Sequence, residues 1–234
     1  WLIQIKIVNL QANFNLTFMK KAFLFLICLV LPFVASAQEV EPNFNYLTFK
    51  GIELKPGLKM DDVLQTLVNK GLKKDEYFDI AHEMYGVYVL NGMFNNHPNC
   101  NIKLLPLNSD KSILGAIGIS LPNSDSFNTL YEQYMNLKEG LENKYVMDSC
   151  EEGFDDKSLH SISSNYLKMS ALEDNECKFT SKFYANDSEL ALFFGQVVLS
   201  ISHVNVNGKH SCYVSVSYCT PDNIQEQLQN MDDL

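Results

Sequence analysis

The stretch ILGAIGISLPNSDSFNTLYEQYMNLKEGLENKY, residues 113–145, places a strand pattern directly before an amphipathic helix. Apolar and small side chains over 113–121 predict a strand that packs closely on its neighbours. Pro122 and the polar residues after it interrupt this pattern and supply candidate helix N-caps. Apolar residues then recur every three or four positions over 127–145, which predicts a long helix with one buried face. This unit indicates a fold in which helices pack on a sheet.

The residues before this unit predict a strand, a helix and a hairpin. Residues 46–54 are expected to form the first strand. Apolar residues with helical spacing over 60–68 predict a helix that ends at Gly71. Residues 86–94 and 100–105 are expected to pair as a β-hairpin.

The residues after this unit are rich in strand patterns and begin with a polar, acidic segment. Residues 146–163 are predicted to be a linker or a mobile loop. Pro221 follows a threonine cap and is expected to open a C-terminal helix. Strands are predicted over 166–172, 177–184, 190–194, 197–204 and 211–219.

Taken together, these patterns predict an α+β fold, mainly antiparallel sheet with two or three helices packed on one face. The parts 46–145 and 164–234 each contain several strands followed by a helix. The sequence leaves open whether these are two similar strand-strand-strand-helix halves of one domain, joined by the acidic loop 146–163.

Residues 19–37 have the three parts of a secretory signal peptide. Two lysines follow Met19, a short apolar run follows them, and small residues occupy 35–37. The apolar run is shorter than the roughly 20 residues that a membrane-spanning helix needs. We therefore expect cleavage that leaves 38–234 as an exported protein, periplasmic or secreted, without a transmembrane segment. Residues 1–18 are expected to be upstream codons translated in frame.

Charge and composition exclude some partners of the mature segment. All 28 acidic residues but only 15 of the 18 lysines lie in 38–234, which gives this segment a net charge of −13. The chain contains no arginine, the preferred side chain for phosphate and guanine recognition. An acidic chain of this kind is not expected to bind nucleic acid.

Cysteine content raises the question of disulfides in an exported protein. The mature segment holds Cys100, Cys150, Cys177, Cys212 and Cys219. Because five is odd, at least one thiol is expected to stay free or to pair with another molecule. Cys212 and Cys219 have opposite parity on one strand, so they are expected to face opposite sides of the sheet.

A search for chemical motifs finds only a weak metal candidate. His203 and His210 flank the predicted turn at 205–208 and could approach each other across the hairpin. A zinc site requires three or four ligands, so ordinary strand ends are the favoured interpretation. The sequence shows no nucleophile elbow and no phosphate-binding glycine loop. It therefore predicts no catalytic residue and no cofactor.

Several short stretches of the chain resemble small exported proteins of Bacteroidetes, especially those of gut species. They are LTFKGI (47–52), LVNKG (67–71), LNGMF (90–94) followed by Cys100, and YMNLKEGLENKY (134–145). Those proteins usually carry glycine after the Lys-Tyr pair, where this chain has Val146. The resemblance implies an exported compartment and a fold pattern, and it carries over no catalytic residues.

Two functions stay open at this stage. The first is a non-catalytic binding or interaction module for a protein or a small ligand, with a protein inhibitor as one specific form. The alternative is a hydrolase whose site assembles only in three dimensions. A deep pocket lined by two carboxylates, or by a histidine and a cysteine, would favour the enzyme, whereas an exposed sheet face would favour the binding module.

Overall fold

The computed structural model describes residues 46–185 and 191–232 of the chain. The main feature of this part is an eight-stranded antiparallel sheet. The strands are β1 (Thr48–Phe49), β2 (Ile52–Glu53), β3 (Lys73–Lys74), β4 (Tyr88–Phe94), β5 (His97–Pro106), β6 (Leu114–Ser120), β7 (Val146–Phe154), β8 (Cys177–Tyr184), β9 (Gln196–Val206) and β10 (Lys209–Cys219). The helices are α1 (Met60–Asn69), α2 (Phe78–Tyr85), α3 (Phe127–Glu142), α4 (Asn165–Glu173) and α5 (Pro221–Asp232), with 3-10 turns at Lys157–His160 and Ala191–Phe194. The predicted signal peptide at 19–37 and the predicted artefact at 1–18 lie outside the described residues.

The strand order across the large sheet is β3-β4-β5-β6-β10-β9-β8-β7, and all neighbours are antiparallel. Strands β6 and β10 meet at the centre, where Ser120 lies opposite Ser215. The order helix-strand-helix-strand-strand-strand occurs twice, as α1-β3-α2-β4-β5-β6 and as α3-β7-α4-β8-β9-β10. The α+β class is confirmed, and the helices outnumber the two or three that the sequence predicted.

The single strand predicted over 46–54 is wrong, because this segment forms a separate two-stranded hairpin of β1 and β2. Lys50 and Gly51 form its two-residue turn with φ angles of 48° and 76°. Positive φ at both central residues is the geometry of a tight hairpin turn. Leu47 and Leu54, just outside the hairpin, are both fully buried in the core.

One face of the large sheet carries the hydrophobic core. Helix α1 buries Met60, Val63 and Leu67 there, and α3 buries Leu130 and Leu137 on the same core. Helix α4 adds its own buried residues to the core. The helices predicted from residues 60–68 and 127–145 are therefore confirmed as elements that cover the sheet.

The acidic segment 146–163 is not a linker, which corrects the sequence-based prediction. Its first part is β7, an edge strand paired with β8, and its second part holds a 3-10 turn. Charged residues such as Glu151 on an edge strand discourage pairing with other chains. Because of these charges, the segment lacks the alternation of apolar and polar residues by which a strand is recognised in a sequence. A register shift between Met147 and Ser149 also interrupts the regular alternation along β7.

Two predicted strands also prove to be helical. Residues 165–173 form α4, and the hydroxyl of Ser164 caps it by accepting a hydrogen bond from the Leu167 backbone N–H. Of the predicted strand at 190–194, the part from Ala191 onward is a 3-10 turn. Both segments are short and apolar, and such runs do not distinguish a strand from a buried helix by periodicity.

Helix α5 lies at one end of the sheet, beside β6. The Thr220 hydroxyl donates to the carbonyl oxygen of Gly115 at 2.9 Å, and Glu226 accepts from the backbone N–H of Ser109 at 2.7 Å. Ala116, next to Gly115 on β6, is only 4% exposed. In the described part of the chain, no helix has both the length and the apolarity needed to cross a bilayer.

Candidate functional site: a depression on the open face of the sheet

The face of the large sheet opposite the core, here named the open face, is lined by polar and small side chains. Because side chains alternate along a strand, the residues between the core positions point to this face. They are only half buried or are exposed, as expected for an antiparallel sheet with one solvated side. The central ones are Asn101, Lys103, Ser120, Ser200, Ser202, Tyr213, Ser215 and Ser217.

The side chains at the centre of the open face are short hydroxyl groups, so they project little above the sheet. The Oγ atoms of Ser200, Ser202 and Ser215 lie 2.9–3.0 Å from one another. The larger Tyr213 stands next to them, directly opposite Ser202. This contrast in side-chain size creates a step at the border of the serine cluster.

Beside that step lies a depression of about 540 Å³. Its volume falls within the range of roughly 300–1,000 Å³ that small-molecule sites occupy. Strands β4, β5, β6, β9 and β10 contribute to it, together with the segments 75–77 and 121–123. The side chains that give it its chemical character include Asp75, Tyr77, Asn99, Asn101, Lys103 and Tyr213.

The rim formed by Asp75 and Tyr77 is held in place by hydrogen bonds. Asp75 Oδ1 accepts from the Tyr77 backbone N–H at 2.9 Å, and its Oδ2 accepts from the side-chain amide of Asn91. The Asp75 backbone N–H donates to the carbonyl oxygen of Val89 at 3.0 Å. The carboxylate is thus occupied by the protein itself, and it presents the Tyr77 ring, which is 60% exposed.

The remaining polar side chains of the depression are not engaged by other parts of the protein. Within the described residues, the side chains of Asn99, Asn101 and Asn123 make no hydrogen bond, and no carboxylate lies within ion-pair distance of Lys103. The Oδ1 atom of Asn101 is shielded from solvent without a partner. A buried acceptor that is left unpaired costs free energy, so it points to a donor that would complete it.

An apolar stripe on α2 continues from the rim of the depression. Tyr77, Ile80, Met84 and Tyr85 are 56–66% exposed. Exposed apolar side chains of this size that lie together often mark a contact surface. The stripe joins the depression at Tyr77, so both features lie at the same end of the sheet.

A second group of chemical side chains, here named the edge cluster, lies on the core side of β7. It consists of Tyr134 and Lys138 of α3, Cys150 and Glu152 of β7, and Ser181 of β8. Lys138 Nζ lies 2.6 Å from Glu152 Oε1 and 3.2 Å from Cys150 Sγ. The Tyr134 hydroxyl lies 3.0 Å from Glu152 Oε1 and 2.7 Å from Ser181 Oγ.

The protonation states of the edge cluster are those of an ion pair. Burial alone would raise the pKa of Glu152, but hydrogen bonds from Lys138, Cys150 and Tyr134 lower it. Burial alone would lower the pKa of Lys138, but its bonds to Glu152 and Cys150 raise it. A lysine that holds its proton and a carboxylate that has lost its own form an ion pair. The lysine then cannot act as a base, and the lowered pKa makes Glu152 a weak base for the Cys150 thiol that donates to it. The cluster joins α3 to the edge strand.

Near the edge cluster, an aromatic pocket of about 350 Å³ opens between α3 and the sheet. Phe127, Phe154 and Phe179 line it, and Lys168 Nζ lies 5.6 Å from the centre of the Phe127 ring. His160 also lines this pocket, and its Nε2 accepts weakly from the Phe154 backbone N–H at 3.5 Å. The rings pack edge to face or tilted on one another, an arrangement that stabilises the core.

The structure does bring His203 and His210 together, as the hairpin prediction requires. Their rings are stacked with centroids 5.8 Å apart. His210 Nε2 lies 3.0 Å from the side-chain amide of Asn205, and its Nδ1 is 4.0 Å from a Glu173 carboxylate oxygen. Within the described residues, no group of three histidine, cysteine or acidic side chains is arranged to hold a metal ion.

All five cysteines of the described residues are free thiols. Cys100 and Cys212 are buried, Cys177 and Cys219 are half buried, and Cys150 is exposed. Cys212 lies in the core and Cys219 lies on the open face, as their parity in the sequence predicts. Burial, with the charges of Asp155 and Cys212, raises the pKa of Cys177 to about 11.

The residues of the depression were not identified from the sequence. Asn99, Asn101 and Lys103 lie on β5, whereas Tyr213 lies on β10, far along the chain. Only the pairing of both strands with β6 brings them together. In the sequence, Asn101 and Lys103 are visible only as the alternating polar residues of the predicted strand 100–105. Such alternation does not distinguish a face that contacts solvent from a face that binds a ligand.

Comparison with protein-family models, with curated proteins and with solved structures finds no match for this chain. The assignment of function therefore depends on the geometry of the open face and of the edge cluster.

Proposed function

We propose that this chain is an exported, non-catalytic binding protein, periplasmic or secreted, and that the depression on the open face is its ligand site. The observation that carries the proposal is the convergence of unpaired polar side chains, Asn99, Asn101, Asn123 and Lys103, on one depression. Polar groups that the protein leaves unpaired at the base of a cavity are typical of sites that orient a ligand.

The edge cluster is the strongest observation in favour of the alternative, a hydrolase. It supplies a thiol, a lysine and a carboxylate within hydrogen-bond distance of one another. Its lysine and carboxylate are engaged as an ion pair, however, and Cys150 does not line either the depression or the aromatic pocket. A catalytic nucleophile needs both an available base and a place for the substrate.

A substitution that fills the depression tests the binding function. Ser120→Phe adds a ring to its floor, while Thr129→Phe adds the same ring to the exposed surface of α3. The full chain and both variants are screened by thermal shift against oligosaccharides, dipeptides and nucleotides, and by a hydrolase assay panel. We expect ligand-dependent stabilisation of the wild type and of Thr129→Phe, with loss in Ser120→Phe. Turnover that disappears in Cys150→Ser would instead establish the hydrolase.

A further inference from the structure

We infer that the depression binds a carbohydrate, as a short oligosaccharide or the end of a glycan chain; this rests on the binding function proposed above. The lining combines two chemical kinds of group. Amides and an ammonium group come from Asn99, Asn101 and Lys103 on β5 and from Asn123 after β6, and rings and aliphatic groups flank them, from residues 75–77 beside β4 and from β10 and β9. A sugar ring has the same division, since hydroxyl groups project from its edge and C–H groups cover its faces.

The three amides match the hydroxyl pairs of a sugar ring. Each amide offers a donor and an acceptor side by side. Each sugar hydroxyl also donates and accepts, so two adjacent hydroxyls can pair with the oxygen and the nitrogen of one amide. A hydroxyl seated in the depression would also supply the donor that the shielded Oδ1 atom of Asn101 lacks, after a small rotation of that amide.

The tyrosines supply the surface for the apolar face of the ring. Tyr77 stands at the rim with 60% of its surface exposed, and Tyr213 borders the serine cluster on β10. A tyrosine presents a flat apolar body with a polar tip. Val204, which is 41% exposed, and Pro122 add to the apolar lining of the depression.

Other ligand classes fit the lining less well. A phosphate or a nucleotide requires several cations, and Lys103 is the one lysine among the lining residues of a chain without arginine. A lipid chain requires an apolar cavity, whereas amides line much of this one. A peptide could pair with the same amides, so peptides are included as competitors in the test.

The test uses the full chain on a printed array of plant, animal and microbial glycans. Soluble maltotriose, cellotriose, xylotriose, mannotriose and triacetylchitotriose are then titrated in solution and followed by proton–nitrogen correlation spectra. Asn101→Ala and Tyr77→Ala are the test variants. Their matched controls are Asn136→Ala on the exposed surface of α3 and Tyr166→Ala, a tyrosine that is 78% exposed on α4.

We expect glycan binding, with shifts confined to the lining parts of β4, β5, β6, β9 and β10 and to residues 75–77 and 121–123. Asn101→Ala and Tyr77→Ala should each weaken the affinity about tenfold or more, the loss of roughly one good polar or ring contact. Both controls should bind as the wild type does. Asn101 and Tyr77 make no side-chain hydrogen bond within the described residues, so both variants are expected to fold.

The other outcomes separate this inference from the proposed function. Binding of dipeptides in the depression, with no glycan bound, would overturn the carbohydrate inference and keep the binding function. Glycan binding that maps outside the depression would overturn both the inference and the proposed site. Shortening of the added trisaccharide, detected by mass spectrometry, would keep the ligand class and overturn the non-catalytic function. Absence of binding to every probe would overturn both.

Discussion

Replacing the hydroxyl of Tyr134 tests whether the edge cluster holds the second half of the sheet together. Tyr134 is fully buried, and its hydroxyl lies 2.7 Å from Ser181 Oγ and 3.0 Å from Glu152 Oε1. Tyr134→Phe removes both hydrogen bonds without changing the ring. Each bond contributes about 0.5–1.5 kcal/mol, and the buried Ser181 keeps only a long contact of 3.5 Å with Cys150. We therefore expect a loss of about 2 kcal/mol in the free energy of unfolding.

Equilibrium unfolding in urea measures this loss as a lower midpoint at an unchanged slope. For a chain of this size, about 2 kcal/mol corresponds to a fall of roughly 4–8 °C in Tm. Tyr131→Phe is the matched control, because the Tyr131 ring is 37% exposed and its hydroxyl makes no hydrogen bond within the described residues. That control should stay within about 0.5 kcal/mol of the wild type.

A double-mutant cycle with Ser181→Ala makes the test specific to the contact. If the two hydroxyls interact as their 2.7 Å distance indicates, the double variant should lose about 1 kcal/mol less than the sum of the single variants. The reasoning is refuted by a Tyr134→Phe variant as stable as the Tyr131→Phe control, or by full additivity in the cycle. In either case the cluster would not join α3 to the strands β7 and β8.

Three further predictions concern the pH dependence, the thiols and one glycine. Because the folded state lowers the pKa of Glu152, its stabilising effect is complete above its ordinary value of 4.5 and is lost as the pH falls below it. The Tm difference between the wild type and Glu152→Gln should therefore shrink between about pH 5 and about pH 3. Native alkylation with iodoacetamide, mapped by peptide mass, should modify the exposed Cys150 before the four other cysteines of the described residues, and equal rates at all five would contradict the described burial. A methyl group at Gly195 would lie 2.7 Å from the Cys219 carbonyl oxygen at a φ of 101°, whereas Gly208 has a φ of 80° and nothing within 4 Å. Gly195→Ala should thus cost about 2–3 kcal/mol in urea unfolding and Gly208→Ala about 1 kcal/mol.

The sequence predicted those elements best whose apolar pattern is long or is bounded by a clear cap. The helix over 127–142 and the strands β8 and β10 agree with their patterns, since one face of each is buried in the core. Pro221 after Thr220 marks the start of α5, and the Thr220 hydroxyl accepts from the Asn223 backbone N–H as a cap does. In these elements the local pattern and the tertiary environment favour the same structure.

The wrong predictions arise where tertiary contacts override the local pattern. The edge strand β7 was predicted to be a loop, because Glu152 lies on the core side of the sheet, opposite Phe179, where an apolar residue is expected. Its ion pair with Lys138 makes a carboxylate acceptable there. Lys138 lies 14 positions earlier in the chain and on a different element, α3. No local rule identifies such a partner across the gap between α3 and β7.

The open face shows why a site of this kind is decided by assembly and not by composition. A solvated face with Ser200, Ser202 and Ser215 is ordinary for an antiparallel sheet, and by itself it would indicate no function. The depression forms where the segments 75–77 and 121–123 meet strands that are distant along the chain. Segment 121–123 adds the unpaired amide of Asn123 to those of Asn99 and Asn101 on β5. Asn101 lines the depression and its Oδ1 atom is shielded and unpaired, so a ligand hydroxyl that reaches this atom would supply the donor that the protein does not provide.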